Sequence, residues 1–135
     1  MDCIFCKIVQ KEIPAKIIFE DDYSISFLDA FPLKFGHVLV IPKNHHSKLQ
    51  DLSITETISL FQMVHKIIPK LESVSDSSLI AIHNGKNAGQ EIPHVHVHLI
   101  PRDKNDGAGP IHSMFSKKVE SSDEKIDELL KVLKS

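Results

Sequence analysis

The stretch His94-Val95-His96-Val97-His98-Leu99-Ile100 constrains the fold of this 135-residue chain more than any other. Successive side chains of an extended strand point to opposite faces, so three histidines two residues apart project to one side while valine and leucine fill the other. Histidine is not favoured in strands by packing, and three in alternation therefore indicate a chemical role. We predict a strand that presents one wall of imidazoles.

Two chemistries could use such a wall. Neutral imidazoles could converge on a catalytic metal ion that keeps an open coordination position. Alternatively, one histidine could act as a nucleophile or general base that its neighbours orient. The row by itself leaves both open.

Length and charge restrict the class of protein. A chain of 135 residues suits one domain with one core. The net charge of -2 argues against electrostatic capture of nucleic acid or an anionic membrane, so we expect neither partner. The N-terminus lacks a basic region followed by an apolar core, and no run approaches the length of a transmembrane helix, which favours a cytoplasmic protein.

The hydrophobic pattern predicts three helices and five strands. One long helix begins at the capping-box pair Ser53 and Glu56, carries an apolar stripe at steps of three and four, and is kinked or shortened by Pro69. That stripe consists of Ile54, Ile58, Phe61, Val64, Ile68 and Leu71. The other predicted elements are a short helix at Ile4–Val9, strands at residues 16–20, 23–28, 37–42, 79–83 and 94–101, and an amphipathic helix at residues 122–133. We expect residues 1–102 to form the domain and residues 103–135 a linker and tail helix belonging to it.

The spacing Cys3-x-x-Cys6 is typical of a metal knuckle. In a reducing compartment, metal binding or free thiols are favoured over a disulfide. A tetrahedral site needs two more ligands, and His45 at the end of the third strand and His94 at the start of the last could supply them if those strands are neighbours. Such a Cys2His2 site would be closed and structural, whereas the alternative is two unliganded thiols.

A second constellation surrounds the rest of the histidine row. If a metal occupies His94, then His96 and His98 are available for acid, base or nucleophilic chemistry. An imidazole that attacks phosphorus needs donors for the phosphate oxygens, and the glycine-containing backbone at Gly89 and Gln90 could provide them.

Asp29 is a candidate ligand-binding residue near this second constellation. A carboxylate can accept hydrogen bonds from both hydroxyls of a ribose, which favours a nucleotide over a bare phosphate. The alternative is an ordinary turn carboxylate at a strand end. Asn84 is a further polar candidate at the site.

These residues resemble the histidine triad family of nucleotide hydrolases and transferases, whose motif is His-φ-His-φ-His-φ-φ with φ apolar. The similarity extends from Cys3 to about Arg102 through Ile-Phe-Cys-Lys-Ile, Lys-Glu-Ile-Pro-Ala-Lys, Gly-His-Val-Leu-Val-Ile-Pro-Lys and Ala-Gly-Gln-Glu-Ile-Pro. The chain most resembles the Hint branch, whose members are typically homodimeric nucleoside phosphoramidate hydrolases. The resemblance implies an α+β fold with a five-stranded antiparallel sheet, one long helix packed on it, and a ten-stranded sheet across the dimer.

The resemblance also implies roles for individual residues. His96 would be the nucleophile that forms a nucleotidyl-histidine intermediate, His98 would contact the phosphate and leaving group, and His37 would join them as a fourth histidine. The implied purine nucleotide site comprises Ile18, Phe27, Asp29, Asn84, Gly89, Gln90, Glu91, His96 and His98. The implied structural Zn²⁺ ligands are Cys3, Cys6, His45 and His94.

We therefore predict hydrolysis of adenosine or guanosine 5′-phosphoramidates through His96. The alternatives are a dinucleoside polyphosphate hydrolase and a nucleotide-binding interaction protein with incidental hydrolysis.

Two departures from the family bear on the leaving group. Glu91 stands where animal members carry serine or threonine, and the chain has no tryptophan, so its tail from Asp103 onward lacks their aromatic C-terminal segment.

Overall fold

A computed structural model describes residues 2–135 of the chain. These residues fall into two compact units, one ending at Lys104 and the other comprising Asn105–Ser135. The first unit holds a five-stranded antiparallel sheet and two helices, which confirms the predicted α+β class.

The sheet of the first unit has the strand order β1-β2-β3-β5-β4, and all four neighbouring pairs are antiparallel. The strands are β1 (Ile17–Glu20), β2 (Ser24–Leu28), β3 (Val38–Pro42), β4 (Ser77–Ala81) and β5 (Val97–Arg102). β3 pairs with β5 in the centre of the sheet, so the neighbour relation on which the predicted metal site depends is present. β4 begins and ends two residues before the predicted strand at 79–83.

Each face of the sheet carries one helix, α1 (Ile4–Val9) or α2 (Ile54–Leu71). Every residue of β3 is buried, as its continuous apolar sequence predicts, and alternate side chains serve the two faces. Val38 and Val40 belong to a cluster with buried side chains of α2, whereas Leu39 and Ile41 belong to a cluster with those of α1. Two apolar layers therefore enclose the central strands.

The long helix α2 confirms the predicted capping box. The Ser53 hydroxyl accepts from the Glu56 backbone N–H, and the Glu56 carboxylate accepts from the Ser53 N–H. The helix continues through Pro69 to Leu71, so Pro69 does not end it.

The predicted apolar stripe on α2 is wrong for its first half. Ile54, Ile58 and Phe61 are 77%, 52% and 41% exposed. The apolar side chains that α2 buries are Leu60, Met63, Val64, Ile67 and Leu71. Two overlapping stripes satisfy the same helical spacing, and only the second one lies against the sheet of this unit.

The second unit contains a single 3₁₀ turn at Ile111–Met114 and the helix α3 (Asp123–Lys134). The Ser122 hydroxyl caps α3 by accepting from the Lys125 N–H, and this helix confirms the one predicted at residues 122–133. Its apolar residues Ile126, Leu129, Leu130 and Leu133 are all at least 40% exposed. Within residues 2–135, every helix is too short or too polar to cross a membrane.

Candidate active site and metal centre

The histidine row is only partly a strand. β5 begins at Val97, so the strand predicted at residues 94–101 starts three residues late. His94 lies in a bend, and the Val95 N–H donates to the His46 carbonyl at 2.7 Å rather than to a neighbouring strand. Pro93, which lacks an N–H, precedes this segment. The predicted alternation nevertheless holds, since Val95, Val97 and Leu99 all lie in the cluster on the α2 side.

At one end of the row, His94 meets the two cysteines and His45. The His94 Nδ1 atom lies 3.5 Å from the Cys3 Sγ atom and 3.6 Å from the Cys6 Sγ atom, and the His45 Nδ1 atom lies 3.4 Å from the Cys6 Sγ atom. The four donor atoms lie within 4.8 Å of one another. A tetrahedral zinc ion with the usual bond lengths separates sulfur and nitrogen ligands by about 3.6 Å, so this group, here called the metal centre, fits Zn²⁺.

The second ring nitrogen of His94 fixes how the ring faces the cysteines. Its Nε2 lies 2.8 Å from the Pro42 carbonyl oxygen and donates to it, which leaves the lone pair on Nδ1. Burial lowers the pKa of His94 to about 4, so the ring is neutral at physiological pH, as a metal ligand must be.

At the other end of the row, the Leu33 N–H and the His37 ring together fix which nitrogen of His98 carries the proton. The Leu33 backbone N–H donates to His37 Nδ1 at 3.1 Å, so the proton of a neutral His37 ring lies on Nε2. His37 Nε2 lies 2.9 Å from His98 Nδ1 and donates to it. The proton of neutral His98 must then lie on Nε2. Within residues 2–135, this is the buried side-chain nitrogen or oxygen atom that lacks a hydrogen-bond partner.

His96 stands beside His98, with ring centroids 4.9 Å apart. Its Nδ1 donates to the His94 carbonyl oxygen at 2.8 Å, which leaves a lone pair on Nε2. Phe5 of α1 packs edge-on against the His96 ring with centroids 5.1 Å apart. Burial lowers the pKa values of His37 and His96, and lowers that of His98 to about 4. These three neutral imidazoles are here called the histidine network.

Asp29 and Phe27 lie next to the network, but Ile18 does not join them. One Asp29 carboxylate oxygen accepts from the Phe31 N–H at 2.9 Å, and the other lies 3.6 Å from His37 Nε2. Phe27 is buried in the α1-side cluster, whereas Ile18 packs on the α2 side. The cross-strand partner of Phe27 is Ile17, and an irregularity of the register follows it.

In the glycine loop after β4, residues 84–90, the side chains of Asn84 and Gln90 are hydrogen-bonded within the protein. Gly89 has a φ of +106°, which favours glycine. The Gln90 side chain accepts from the Gly85 N–H and donates to the Ser47 carbonyl, so it braces the loop. The Asn84 side chain accepts from the Leu49 N–H and donates to Gln50, so it is engaged away from the histidines.

Glu91 is exposed at the rim of this loop. It lines a surface cavity of about 680 Å³ together with Ser47, Lys48, Gly85, Lys86, Gly89, Gln90 and Pro93. Glu91 therefore lies at the protein surface beside the glycine loop.

His83 is a histidine of the site that sequence reasoning missed. It follows β4 by two residues, and its ring lies against that of His98 with centroids 5.5 Å apart. A Cβ atom on Gly89 would lie 3.2 Å from its ring, so the loop backbone passes directly over the imidazole. The feature that could have revealed His83 is the antiparallel pairing of β4 with β5, which brings the chain after Ala81 beside His98.

The sequence of this chain is similar to those of several known proteins. The family model described as HIT domain matches residues 10–105. An uncharacterised HIT-like protein of Methanocaldococcus jannaschii is 42% identical over 106 residues, covering 78% of this chain and 82% of that protein. Adenosine 5′-monophosphoramidase HNT1 of Saccharomyces cerevisiae is 37% identical over 139 residues, covering 90% and 85%. A bis(5′-nucleosyl)-tetraphosphatase of Schizosaccharomyces pombe is 40% identical over 96 residues, covering 70% and 53%.

Solved structures show the same fold. A hypothetical protein from Leishmania major superimposes with a TM-score of 0.86 at 31% identity, covering 98% of this chain and 94% of that one. A Zn-bound histidine triad family protein from Mycobacterium smegmatis superimposes with a TM-score of 0.70 at 38% identity, covering 79% of each chain.

Proposed function

This chain belongs to the HIT domain family, and we propose that it is a nucleotide hydrolase that cleaves the P–N bond of adenosine or guanosine 5′-phosphoramidates. The observation that carries the proposal is the protonation pattern of the histidine network. His96 keeps a lone pair on Nε2, and beside it His98 presents an unpartnered Nε2–H. A nucleophile next to a preorganised donor is what attack on a phosphate ester requires.

In the proposed reaction, His96 Nε2 attacks the α-phosphorus. The P–N bond breaks, its electron pair goes to the leaving nitrogen, and that nitrogen takes a proton from solvent and leaves as a neutral amine. His98 Nε2–H donates to the phosphate as negative charge shifts in the transition state. The nucleotidylated imidazole becomes cationic, and the His94 carbonyl that accepts from its Nδ1–H stabilises that charge. Water then attacks the phosphorus and loses a proton to solvent, the bond from phosphorus to Nε2 breaks with its electron pair returning to the ring, and the mononucleotide leaves neutral His96.

Other residues would position the nucleotide. The Asp29 carboxylate borders the network and would accept from the ribose hydroxyls, while Phe27 would border the purine. The backbone N–H groups around Gly89 would approach the phosphate, because glycine leaves the path to the backbone clear. Gln90 and Asn84 would hold the glycine loop in place through their side-chain hydrogen bonds, and Glu91 would lie at the surface of that loop.

We assign Zn²⁺ to the metal centre as a structural ion held by Cys3, Cys6, His45 and His94. Four protein ligands close a tetrahedral coordination sphere, which leaves no position for substrate. Because His94 is committed there, the three histidines of the row do not converge on one catalytic metal. The ion would tie the N-terminal helix α1 to the start of the histidine row.

The family resemblance and the exposed half of α2 favour a homodimer. Ile54, Ile58 and Phe61 form an apolar stripe that the sheet does not cover, and β4 is an edge strand whose Ile80 is 37% exposed. A second copy would cover both and extend the sheet to ten strands.

Light scattering tests this proposal. A dimer that Phe61→Glu converts to a folded monomer supports it, and a monomeric wild type contradicts it.

Substrate profiling tests the proposed activity. We expect kcat/KM on adenosine 5′-phosphoramidate to exceed that on diadenosine tetraphosphate. The reverse ranking would favour the second candidate, a dinucleoside polyphosphate hydrolase, which the name of the Schizosaccharomyces pombe relative supports. His96→Gly must abolish either activity, whereas the exposed control His65→Gly on α2 must leave it unchanged.

A further inference from the structure

We propose that Glu56 of α2 is a positioning residue for the nucleophile His96, and that it acts through His46 and one peptide group of the histidine row. This inference rests on the proposed function, in which His96 attacks phosphorus, and adds to it two residues that lie outside the site. Glu56 is a buried carboxylate that neither the metal centre nor the histidine network uses.

The peptide group between His94 and Val95 orients the His96 ring. Its carbonyl oxygen accepts from His96 Nδ1 at 2.8 Å, and its N–H donates to the His46 carbonyl oxygen at 2.7 Å. A trans peptide is planar, so these two hydrogen bonds hold one rigid group from opposite sides. The orientation of His96 therefore depends on where the His46 backbone lies.

The His46 backbone is held in turn by its own side chain. His46 Nε2 lies 3.1 Å from a Glu56 carboxylate oxygen and donates to it, and the Asn44 side-chain amide donates to the same oxygen at 3.0 Å. The other Glu56 oxygen accepts from the Ser53 N–H at 2.9 Å. Glu56 thus ties residues 44–46 to the start of α2.

Burial and charge make this anchor stiff. Glu56 is 5% exposed and remains ionised, because the hydrogen bond from the Ser53 N–H and those from the two side chains lower its pKa to about 2. A buried carboxylate needs such donors, so they are costly to displace. Hydrogen bonds in a chain also polarise one another, so the bond from the Val95 N–H makes the His94 carbonyl a better acceptor for cationic His96.

Two variants break the anchor, and two more control for stability and chemistry. Glu56→Gln keeps an oxygen for the Ser53 N–H but places an NH₂ group where the other donors need an acceptor, and His46→Leu removes the ring donor. Ser53→Ala removes only the bond from the Glu56 N–H to the Ser53 hydroxyl, so it weakens the helix start and keeps the carboxylate. His46→Gln retains a donor. All are compared at equal zinc content, because His46 adjoins the assigned metal ligand His45.

The first measurement is hydrogen exchange at the Val95 amide, relative to that at the Leu99 amide of β5, which reports global unfolding. In Glu56→Gln and His46→Leu, we expect this exchange ratio to rise roughly tenfold. On adenosine 5′-phosphoramidate, kcat should fall roughly tenfold with KM close to the wild-type value, because misplacement of a reacting group slows the chemical step. His46→Gln should retain most of the wild-type kcat and exchange ratio, and Ser53→Ala should lower only the thermal midpoint.

Full kcat or an unchanged exchange ratio in Glu56→Gln would overturn the inference and leave the proposed function intact. An equal loss of kcat in Ser53→Ala would also overturn it, because the effect would then be one of helix stability. If the wild type turns over neither adenosine 5′-phosphoramidate nor diadenosine tetraphosphate, the proposed function fails instead. The exchange ratio would then decide whether Glu56 holds the peptide group between His94 and Val95.

Discussion

The two ends of the histidine row contain the same side chain in similarly buried surroundings but differ in what remains for a ligand. At the metal centre, His94 uses both ring nitrogens within the protein, one towards the cysteines and one towards the Pro42 carbonyl. In the histidine network, His96 and His98 each commit only Nδ1. We call the first end closed because both ring nitrogens of its histidine have partners within the protein, and the second end open because each ring keeps one nitrogen without such a partner.

This difference shows how a repeated motif divides into structural and chemical parts. Burial lowers the pKa of His94 and of His98 to about 4, so neutrality alone does not distinguish them. What distinguishes the two rings is whether the second ring nitrogen has a partner within the protein. We therefore expect substitutions at the closed end to change stability, and those at the open end to change turnover.

The largest contrast should come from His96→Ala. Loss of the nucleophile should reduce kcat/KM on adenosine 5′-phosphoramidate by at least about 10⁴-fold, while the thermal midpoint, lowered by the cavity at this buried position, stays above the assay temperature. Steady-state kinetics and calorimetry measure both quantities, with His65→Ala as the control. A variant that keeps a tenth of the wild-type activity would place the nucleophile elsewhere.

Removal of the metal should give the opposite pattern. Cys6→Ala, or dialysis of wild type against a chelator, should lower the free energy of unfolding by several kcal/mol, roughly 3 or more, because a structural metal site contributes directly to folding. Activity measured well below the thermal midpoint should fall less than about tenfold, or 1.4 kcal/mol. Loss of all turnover in a folded, metal-free protein would make the metal catalytic.

His98→Gln tests the donor at the open end. Removal of one preorganised donor to a developing negative charge should reduce kcat by about 10²-fold. We expect KM to change much less, because the contact strengthens in the transition state. An equal loss in KM with unchanged kcat would assign His98 to ground-state binding only.

The smallest effect concerns stability against pH. The folded-state pKa of His98 is depressed to about 4 from 6.5, so the unfolded chain binds more protons and stability falls as pH drops through this window. Between pH 7 and pH 5, His98 should account for about 2 kcal/mol of lost unfolding free energy. Urea denaturation of zinc-loaded wild type and His98→Gln should show a smaller drop in the variant, and equal drops would contradict the neutral buried ring.

Much of the fold follows from patterns that a single chain displays. The capping box at Ser53 fixed the start of α2, and the continuous apolar run of β3 indicated a strand buried on both faces. The choice of face on α2 could not be made in this way. Ile58 and Leu60 both belong to plausible apolar stripes, and only tertiary packing against the sheet selects the second.

The candidate site shows the same division. The four residues of the metal centre lie together, as spacing and the family resemblance predict, because strand pairing brings β3 beside β5. Ile18 and Asn84 do not face the network, since their orientation depends on a strand irregularity and on loop hydrogen bonds that no motif records. His83 was overlooked because its neighbour His98 is fifteen residues away in sequence and adjacent only through the sheet.

Intact-mass spectrometry after rapid, acid-free quenching tests the central claim most directly. Wild-type protein mixed with adenosine 5′-phosphoramidate should carry one adenylyl group, and peptide mapping should place it on His96. Cys6→Ala should retain the adduct and His96→Gly should lack it. An adduct on His94 or His98, or undiminished turnover by His96→Gly, would contradict the assignment of an open, covalent role to this end of the row.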